Sequence, residues 1–397
     1  MAELETFRAQ TRAWLEENAP KSLYGTRKGK FDGYWGGLKN TEDNPDVLAW
    51  FEMMRVRGWT APTWPKEYGG GGLSHEEGKV LNQELVSLQL PPPLVGFGLA
   101  MIGPTLLDYG TEAQKKEHIP NIVNGTIRWS QGYSEPEAGS DLASLKTRAE
   151  KDGDYFIING QKVWTSLANK SDWIFCLTRT SNEGAKQAGI TFILFDLESE
   201  GVTVRQIELI SGASPFCEVF FDNVRALAAN VVGEVGDGWK VAKALLNYER
   251  SMIGEAIGGQ MDGTETKLVG QARDYLETAE GTLPDAGMRS NLASFGMDEM
   301  CFMLTIERIR QSVLTGGNPG AVSSIMKVAG TELKQRRWEM AMEVAGPQAL
   351  GWEGEGFSDN ELAETREWLR SRANSIEGGT SEIQMNIIAR RVLGLPK

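Results

Sequence analysis

The fold class of this chain is decided by residues 155 to 180, YFIINGQKVWTSLANKSDWIFCLTRT. The two apolar runs at the ends of this stretch are short, rich in β-branched and aromatic residues, and typical of β-strands. Asn159 and Gly160 form a dipeptide that favours a tight hairpin, so we expect a turn there and Trp164 on the returning strand. The stretch therefore predicts a β-sheet in the middle of the chain.

Strand-like segments continue on both sides, from about residue 126 to residue 233. They are IRWSQGY (127–133), ITFILFDLE (190–198), VTVRQIEL (202–209) and CEVFFDNV (217–224). The flanking regions have the apolar spacing of helices instead. The sequence therefore predicts a multidomain α+β chain with an amino-terminal α-helical domain (1–125), a middle β domain (126–233) and a carboxy-terminal α-helical domain (234–397). No GxGxxG motif follows a strand, which argues against a Rossmann fold, and we expect any ligand cleft where the domains meet.

Composition limits the possible functions. The 397 residues include 54 acidic and 41 basic side chains, and the formal net charge of −13 disfavours binding to nucleic acid. No run approaches the roughly 20 apolar residues of a membrane span, and the amino terminus predicts an amphipathic helix instead of a signal peptide. We therefore expect a cytoplasmic protein that binds neither nucleic acid nor membranes.

The cysteines and histidines narrow the chemistry further. Cys176, Cys217 and Cys301 are far apart in sequence, so we expect small buried thiols and neither a disulfide framework nor a metal site. His75 and His118 lie in polar segments and are expected on the surface. Acid–base chemistry should then fall to carboxylates.

Two segments combine strands with hydroxyl side chains. WSQGYSEPEAGSD (129–141) leads from a strand into a turn rich in Gly and Ser, which is either a ligand-binding loop or an ordinary strand-to-loop corner. Trp164 is followed by Thr165 and Ser166, a combination that suits a flat heteroaromatic ring. The alternative, and the commoner one for a tryptophan in a strand, is a plain core residue.

A candidate acid–base group lies in GWKVAKALLNYERSMIGEAIGG (238–259). Glu249 has apolar neighbours one helical turn away on either side, and such surroundings would raise the pKa of a buried carboxyl group toward neutrality. Alternatively, Glu249 lies at the edge of the apolar face and pairs with Arg250.

The carboxy-terminal segment SIEGGTSEIQMNIIARRVLGLP (375–396) has the pattern of a capped helix. Gly378 and Gly379 precede Thr380, which is a favoured residue at a helix start. Such a start either presents free amides to a ligand or serves only as a cap.

Together these segments resemble the acyl-CoA dehydrogenase family along nearly the whole chain. The similar motifs are GWTAPTWPKEYGGGGLS (58–74), YGTEAQKKEHIPNIVNG (109–125), GYSEPEAGSDLAS (132–144), INGQKVWTS (158–166), EVAGPQALG (343–351) and GGTSEIQMNIIARRVLGLP (378–396). The resemblance implies the fold of that family: an amino-terminal all-α domain, a middle β-barrel domain and a carboxy-terminal α-helical bundle.

The resemblance also implies FAD as the cofactor. It places along the isoalloxazine ring Gln131, Tyr133, Ser134, Trp164, Thr165 and Ser166. Tyr133 stands where a smaller aliphatic residue is usual, and Ser166 would lie near the flavin N5. Ser140 would lie near the CoA part of the substrate. The terminal helix would bring three more cofactor-binding residues: Gly379, Thr380 and Glu382.

The expected catalytic base departs from the commonest pattern of the family. Many members have a glutamate directly before the Gly-Thr-Ser of the terminal motif, where this chain has Gly378 and carries Glu377 one residue earlier. A minority carries the base on the first helix of the last domain, directly before an arginine, and Glu249-Arg250 matches that arrangement. We therefore expect Glu249 as the base, with Glu377 as the alternative and Arg250 orienting the site.

The reaction that the resemblance implies is α,β-dehydrogenation. Glu249 would take a proton from Cα of an acyl-CoA thioester while a hydride leaves Cβ for the flavin, giving the trans-2-enoyl-CoA. A backbone amide near Gly378 and a flavin hydroxyl would polarise the thioester carbonyl. The electrons would pass to an electron-transfer flavoprotein. The setting would be fatty-acid or steroid side-chain degradation, and the displaced base indicates a branched, long or bulky acyl group.

A second departure concerns assembly. Most homotetrameric members carry an Arg-x-Phe-Gly segment early in the last domain, where this chain has DYLETAEGTLPDAGMRSN (274–291). Some family members pair unlike subunits. We therefore expect an oligomer in which a homologous second subunit completes the adenine or pyrophosphate part of the FAD site.

Three alternatives keep the fold and change the function. They are a flavin oxidase or nitroalkane-type enzyme, a nucleic-acid-associated member of the fold, and a catalytically silent structural subunit. The CoA-type motifs and Glu249 disfavour the first, the net charge of −13 disfavours the second, and the intact flavin-facing motifs disfavour the third.

Overall fold

The chain combines helices at both ends with a sheet in the middle. The structure, a computed structural model, describes residues 2–27, 33–246, 264–276, 279, 281–314 and 322–396. The backbone divides into two compact units, residues 1–207 with 215–249, and residues 208–214 with 250–397. The first unit holds the amino-terminal helices and the sheet, and the second holds the carboxy-terminal helices. The predicted α+β multidomain class is confirmed.

The amino-terminal helices begin at residues that stabilise helix ends. Their bounds are α1 Ala2–Asn18, α2 Pro45–Val56, α3 His75–Ser87, α4 Gly103–Tyr109 and α5 Glu112–Val123. Ser74 and Glu77 form a capping box at the start of α3, and Thr111 and Gln114 form another at the start of α5. Helix α1 confirms the helix that was predicted at the amino terminus.

These helices pack around an apolar core. Leu15 from α1, Trp50 from α2 and Leu81 from α3 belong to one cluster, and each is at most 2% exposed. Burial of such a side chain stabilises the folded chain by about 1.5–3 kcal/mol. The helical spacing seen in the sequence therefore corresponds to a buried face in each helix.

The middle of the chain forms a mixed seven-stranded sheet. Its strands are β1 Trp129–Gly132, β2 Arg148–Asp152, β3 Tyr155–Ser166, β4 Trp173–Arg179, β5 Ile190–Asp196, β6 Val202–Ile207 and β7 Phe216–Leu227. The hydrogen-bonded order is β1-β4-β2-β3-β7-β6, and β5 pairs with β4. Strands β4 and β5 are buried along nearly their whole length, which explains their continuous apolar sequences. The predicted middle β domain is confirmed.

The hairpin predicted at Asn159 and Gly160 is wrong, because β3 runs through both residues. The turn comes earlier, between β2 and β3, where Gly153 has a φ of +57° that glycine tolerates. The side-chain Oδ1 of Asn159 instead accepts a 2.9 Å hydrogen bond from the backbone N–H of Asn223, beside a register shift between β3 and β7. Pairing with β7 therefore overrode the local preference of the Asn-Gly dipeptide for a turn.

The cysteines divide into two kinds. Cys176 and Cys217 lie in the core of the sheet, as predicted, and burial raises the pKa of the Cys176 thiol to about 12. Cys301 is exposed, so its predicted burial is wrong. It lies on the exposed face of a long carboxy-terminal helix. The spacing of apolar residues in the sequence did not distinguish that face from the buried one.

His118 is also misplaced by the prediction. His75 is exposed as expected, but His118 is 1% exposed on α5. Its ring contacts the indoles of Trp129 and Trp173 edge-on, with centroid distances of 5.4 and 5.1 Å. Neither ring nitrogen has a hydrogen-bond partner among the described residues. Burial lowers the pKa of His118, so the imidazole stays neutral at pH 7.

The carboxy-terminal unit is helical. Its bounds are α6 Thr264–Tyr275, α7 Ala286–Leu314, α8 Val322–Ala345, α9 Asp359–Ser371 and α10 Ser381–Ile387. Leu268, Phe295 and Ala341 belong to the core that α6, α7 and α8 share. None of the helices in the described part of the chain has the length and apolar character that crossing a bilayer requires.

We expect His118→Phe to remove one source of acid sensitivity. The unfolded chain protonates this histidine near pH 6.5, while the folded chain holds it neutral to lower pH, so its contribution to stability is complete above about pH 7.5 and is lost as pH falls through about 6.5. In the variant, the free energy of unfolding from urea titrations should fall less between pH 7.5 and 5.5 than in the wild type. His75→Gln, which removes an exposed histidine, is the control. Equal slopes for His118→Phe and wild type would contradict the assignment.

Candidate functional site

Two segments far apart in sequence meet in the first unit. The backbone N–H of Val163 donates a 2.9 Å hydrogen bond to the carbonyl of Ser134, in the turn that follows β1. The hydroxyl of Ser130 donates a 3.1 Å hydrogen bond to the carbonyl of Ser166, at the end of β3. The structure therefore brings together the two groups of residues for which the sequence predicted flavin contacts.

Trp164 lies on a bulge of β3. Lys162 pairs with Val219 of β7 and Thr165 pairs with Cys217, so three steps along β3 match two along β7. Trp164 has a φ of +60°, which is rare and strained for a bulky residue, and its side chain is 54% exposed. The exposed indole excludes the alternative of a plain core residue.

The bulge changes which residues of β3 face the core. Before it, Phe156, Ile158 and Lys162 are buried on one face, on which Gly160 is exposed; after it, Thr165 is buried. Strict alternation would have continued the buried set to Trp164. The extra residue reverses the alternation and turns the indole outward.

The other residues predicted along the isoalloxazine ring differ in exposure. Gln131, Ser134 and Ser166 are half-buried. Thr165 is fully buried, and its hydroxyl has no hydrogen-bond partner among the residues that the structure describes. Buried hydroxyls are usually paired, so the unpaired hydroxyl of Thr165 is an exception among the buried groups of the sheet.

The side chain of Tyr133 lies in the core. It is 5% exposed, and its ring lies edge-on to Phe175 and Phe192, with centroid distances of 6.2 and 6.3 Å. The Tyr133 carbonyl accepts a 3.0 Å hydrogen bond from Lys162. Because the ring packs against these two phenylalanines, any ligand contact by Tyr133 would come from its backbone.

A buried ion pair beside these segments was missed by the sequence analysis. Lys162 is 0% exposed and Glu135 is 7% exposed, and Nζ of Lys162 donates a 2.8 Å hydrogen bond to Glu135. Burial works to raise the pKa of the Glu135 carboxyl group, but Lys162 and three hydrogen bonds hold that pKa below its ordinary value. The sequence does place Lys162 on the same face of the strand as Phe156 and Ile158. A charge on a buried face requires a partner, so this position could have predicted the ion pair.

The loop after Glu135 carries the residue predicted near CoA. Ser140 is exposed and lies two residues after Ala138. Ala138 forms an isolated antiparallel β-bridge with Glu135. Asp141 pairs with Lys186 at 2.8 Å, and both side chains are more than half exposed. Ser140 is therefore accessible at the edge of an ordered loop.

The terminal motif lies in the second unit and is capped as predicted. The Thr380 hydroxyl accepts a 3.3 Å hydrogen bond from the backbone N–H of Ile383 at the start of α10. Gly378 is exposed and Gly379 is half-buried, and they have positive φ angles of +63° and +91°. Hydrogen bonds at the helix start, with a smaller effect of Lys327, lower the pKa of the Glu382 carboxyl group, which is ionised at pH 7.

Glu377, the alternative base, is engaged in contacts. Arg370 forms an ion pair with one carboxylate oxygen at 2.7 Å, and the side-chain amide of Asn374 donates a 2.6 Å hydrogen bond to the other. Both oxygens are thus occupied by donors within the second unit. Glu249 and Arg250, the preferred base and its neighbour, lie outside the described residues.

Family models match the chain from end to end. The N-terminal domain of acyl-CoA dehydrogenases matches residues 1–126, the middle domain residues 130–224 and the C-terminal domain residues 236–393. The chain therefore belongs to the acyl-CoA dehydrogenase family, and it is an oxidoreductase of that class. The resemblance inferred from the motifs is confirmed at the level of the family.

Known relatives cover the chain completely. Acyl-CoA dehydrogenase IpdE1 of Mycobacterium tuberculosis is 38% identical over 400 residues, which span 100% of this chain and 99% of the relative. A solved structure, the Tcur3481-Tcur3483 steroid ACAD, has a TM-score of 0.76 and 32% identity, covering 100% of this chain and 98% of that one. The ChsE4-ChsE5 complex from Mycobacterium tuberculosis has a TM-score of 0.74 and 29% identity, with the same coverage.

We expect Trp164→Gly to leave the stability of the cofactor-free chain nearly unchanged. The indole is half-exposed and glycine adopts a positive φ without strain, so the free energy of unfolding in urea should change by less than about 1 kcal/mol. Trp129→Gly is the matched control, because Trp129 is 1% exposed in β1, and it should lower that free energy by at least about 3 kcal/mol. Comparable losses in the two variants would make Trp164 a core residue.

Proposed function

We propose that the chain is an FAD-dependent dehydrogenase of a bulky acyl-CoA thioester. It would produce the trans-2-enoyl-CoA and pass the electrons to an electron-transfer flavoprotein. Membership of the acyl-CoA dehydrogenase family supports the reaction class. The geometry around the bulge of β3 supports the cofactor.

Trp164 is the main support for FAD at this site. A half-exposed indole on a strained bulge is unfavourable for a chain that binds nothing there, and such strain is concentrated at functional sites. A flat ring with polar edges would cover the indole, while the half-buried Ser166 and Gln131 offer hydrogen bonds to its edge. The residues present therefore fit an isoalloxazine ring.

The remaining roles follow from the same assignment. Ser166 would donate a hydrogen bond near the flavin N5, and Ser134 would line the ring. Gly379, Thr380 and Glu382 would hold the cofactor from the terminal motif, and Ser140 would contact the CoA part of the substrate. When FAD is bound, the chemistry that it supplies is acceptance of a hydride from Cβ.

Glu249 is the proposed base that removes the Cα proton, and Arg250 would orient it. The contacts of Glu377 support this choice, because that carboxylate would have to leave both Arg370 and Asn374 before it could accept a proton. The backbone amide at Gly378 would donate a hydrogen bond to the thioester carbonyl, which makes the Cα proton more acidic.

The acyl group is proposed to be branched, polycyclic or otherwise bulky. The displaced base is one support, and the description of a 32% identical solved relative as a steroid ACAD is another. A steroid side chain or a branched fatty acyl chain would fit both.

A homologous second subunit is proposed to complete the assembly. The absence of Arg-x-Phe-Gly from residues 274–291 removes a family element that holds FAD across a subunit interface. Two of the solved relatives are named as pairs, Tcur3481-Tcur3483 and ChsE4-ChsE5. These names support a complex of unlike chains for this protein.

Anaerobic bleaching of the flavin by acyl-CoA thioesters tests the reaction. In a panel of straight, branched and steroid thioesters, we expect bleaching by a bulky member in the wild type. Glu249→Gln should reduce the bleaching rate by at least about a hundredfold while retaining FAD, because general base catalysis is worth that much or more.

Glu377→Gln is the matched control, since it makes the same change in a carboxylate whose contacts argue against a catalytic role. It should keep the bleaching rate within about a factor of ten. The base assignment is contradicted if Glu377→Gln is the inactive variant. Oxygen consumption without an electron-transfer flavoprotein would instead favour a flavin oxidase.

Purification of the chain alone, and with a homologous partner, tests the assembly. We expect less than one FAD per chain when it is purified alone and stoichiometric FAD in the mixed complex, with mass measured by light scattering. A homo-oligomer that holds one FAD per chain would rule out the need for a second subunit.

A further inference from the structure

Two strained residues lie at the bulge of β3, Trp164 within it and Leu167 just after it. Trp164 and Leu167 have φ angles of +60° and +56°, a region that bulky side chains rarely occupy. Such a conformation persists only where the surrounding structure holds it from both sides. The contacts on the flanks of the bulge therefore decide whether the indole stays outward.

The carboxy-terminal flank is held at its backbone by two hydrogen bonds. The N–H of Leu167 donates a 2.8 Å hydrogen bond to the carbonyl of Pro215, and the hydroxyl of Ser130 donates to the carbonyl of Ser166 at 3.1 Å. These bonds fix the chain after Trp164 to β1 and to the start of β7. They do not fix the chain on the amino-terminal side of the bulge.

The amino-terminal flank is held by the buried side chain of Lys162. Its Nζ donates to the carboxylate of Glu135 at 2.8 Å and to the carbonyl of Tyr133 at 3.0 Å. Lys162 precedes the Val163 amide, which donates to Ser134. One ammonium group thus joins β3 to the turn after β1.

The carboxylate of Glu135 extends this connection to a third segment. One oxygen also accepts a 2.9 Å hydrogen bond from the N–H of Thr147, and the other accepts a 2.6 Å bond from the N–H of Lys146. The pair therefore joins three stretches of backbone: 133–135, 146–147 and the flank of the bulge at 162.

The pair is better suited to positioning than to stability or to chemistry. Replacing a buried ion pair by apolar side chains is often neutral for stability, so charge is not needed merely to fill this space. Hydrogen bonds have preferred distances and angles, whereas apolar contacts are non-directional. Lys162 is 0% exposed and so cannot contact a substrate or cofactor directly.

We propose that the Lys162–Glu135 pair is a positioning device that holds the bulge of β3 in its strained form and thereby sets the indole of Trp164 for the flavin. The inference rests on the proposed function for the identity of the ligand. The local geometry that it assigns to the bulge is independent of any ligand.

Lys162→Met tests the device, with Lys146→Met as the matched control. Lys146 forms an exposed ion pair with Glu137, 73% and 75% exposed, and its backbone N–H, which the substitution keeps, donates to Glu135. Hydrogen exchange of the Val163 and Leu167 amides, followed by mass spectrometry of the peptide that contains them, reports on the bulge. FAD uptake by the full chain, with the homologous partner added if the wild type needs it, reports on the ligand.

We expect Lys162→Met to speed exchange at the bulge by at least about tenfold and to weaken FAD binding by at least about tenfold, since it removes the counter-charge of a buried carboxylate. Lys146→Met should change either quantity by less than about twofold. Lys162→Gln keeps two N–H donors without the charge; it provides a folded variant should Lys162→Met not fold, and should show an intermediate effect on both measurements.

The outcomes separate this inference from the proposed function. Unchanged exchange at the bulge in folded Lys162→Met or Lys162→Gln overturns the positioning role, even if the wild type binds FAD. Faster exchange spread evenly over β4 and β5 as well also overturns it, because that pattern indicates a general loss of stability. Local loosening in a protein whose wild type takes up no FAD supports the positioning role and contradicts the proposed function.

Discussion

The extra residue in β3 is the constraint on which the candidate site depends. Side chains of a strand alternate between two faces, and the bulge between Lys162 and Thr165 reverses that alternation. Lys162, before the bulge, points into the protein, where it meets Glu135, and the bulge turns the side chain of Trp164 out of it. Without the bulge, the indole would share the buried face with Ile158, and the strand would be an ordinary element of the core.

Apolar and polar contacts have different roles in the sheet. Its apolar core, which includes Ile158, Ile174 and Phe195, contributes stability without fixing small displacements of one strand against another. A few hydrogen bonds between β3 and the β1 turn fix those displacements, and the Val163–Ser134 bond is the most direct. The site residues thus lie on a rigid sheet, and polar contacts set their register.

The terminal motif of the second unit is also arranged by polar contacts. The Nζ of Lys327 on α8 donates a 2.9 Å hydrogen bond to the carbonyl of Asn374, and Arg370 binds Glu377. These contacts hold the backbone that leads to Gly378 and occupy the glutamate nearest to it. A motif built in this way presents backbone amides well and a free carboxylate poorly, which agrees with a base located elsewhere in the chain.

The sequence by itself determined the class of fold, the order of helices and sheet, the cap of α10, and the family, because periodicity, capping residues and motif order are local properties. It also named two segments, 129–141 and 158–166, that meet in the structure. Only the tertiary structure decided that β3 continues through Asn159, that His118 is buried and that Trp164 is exposed. Each of these depends on a partner distant in sequence. Strand pairing with β7 overrode the turn preference, packing against two indoles enclosed the imidazole, and one bulge reversed the face of the tryptophan.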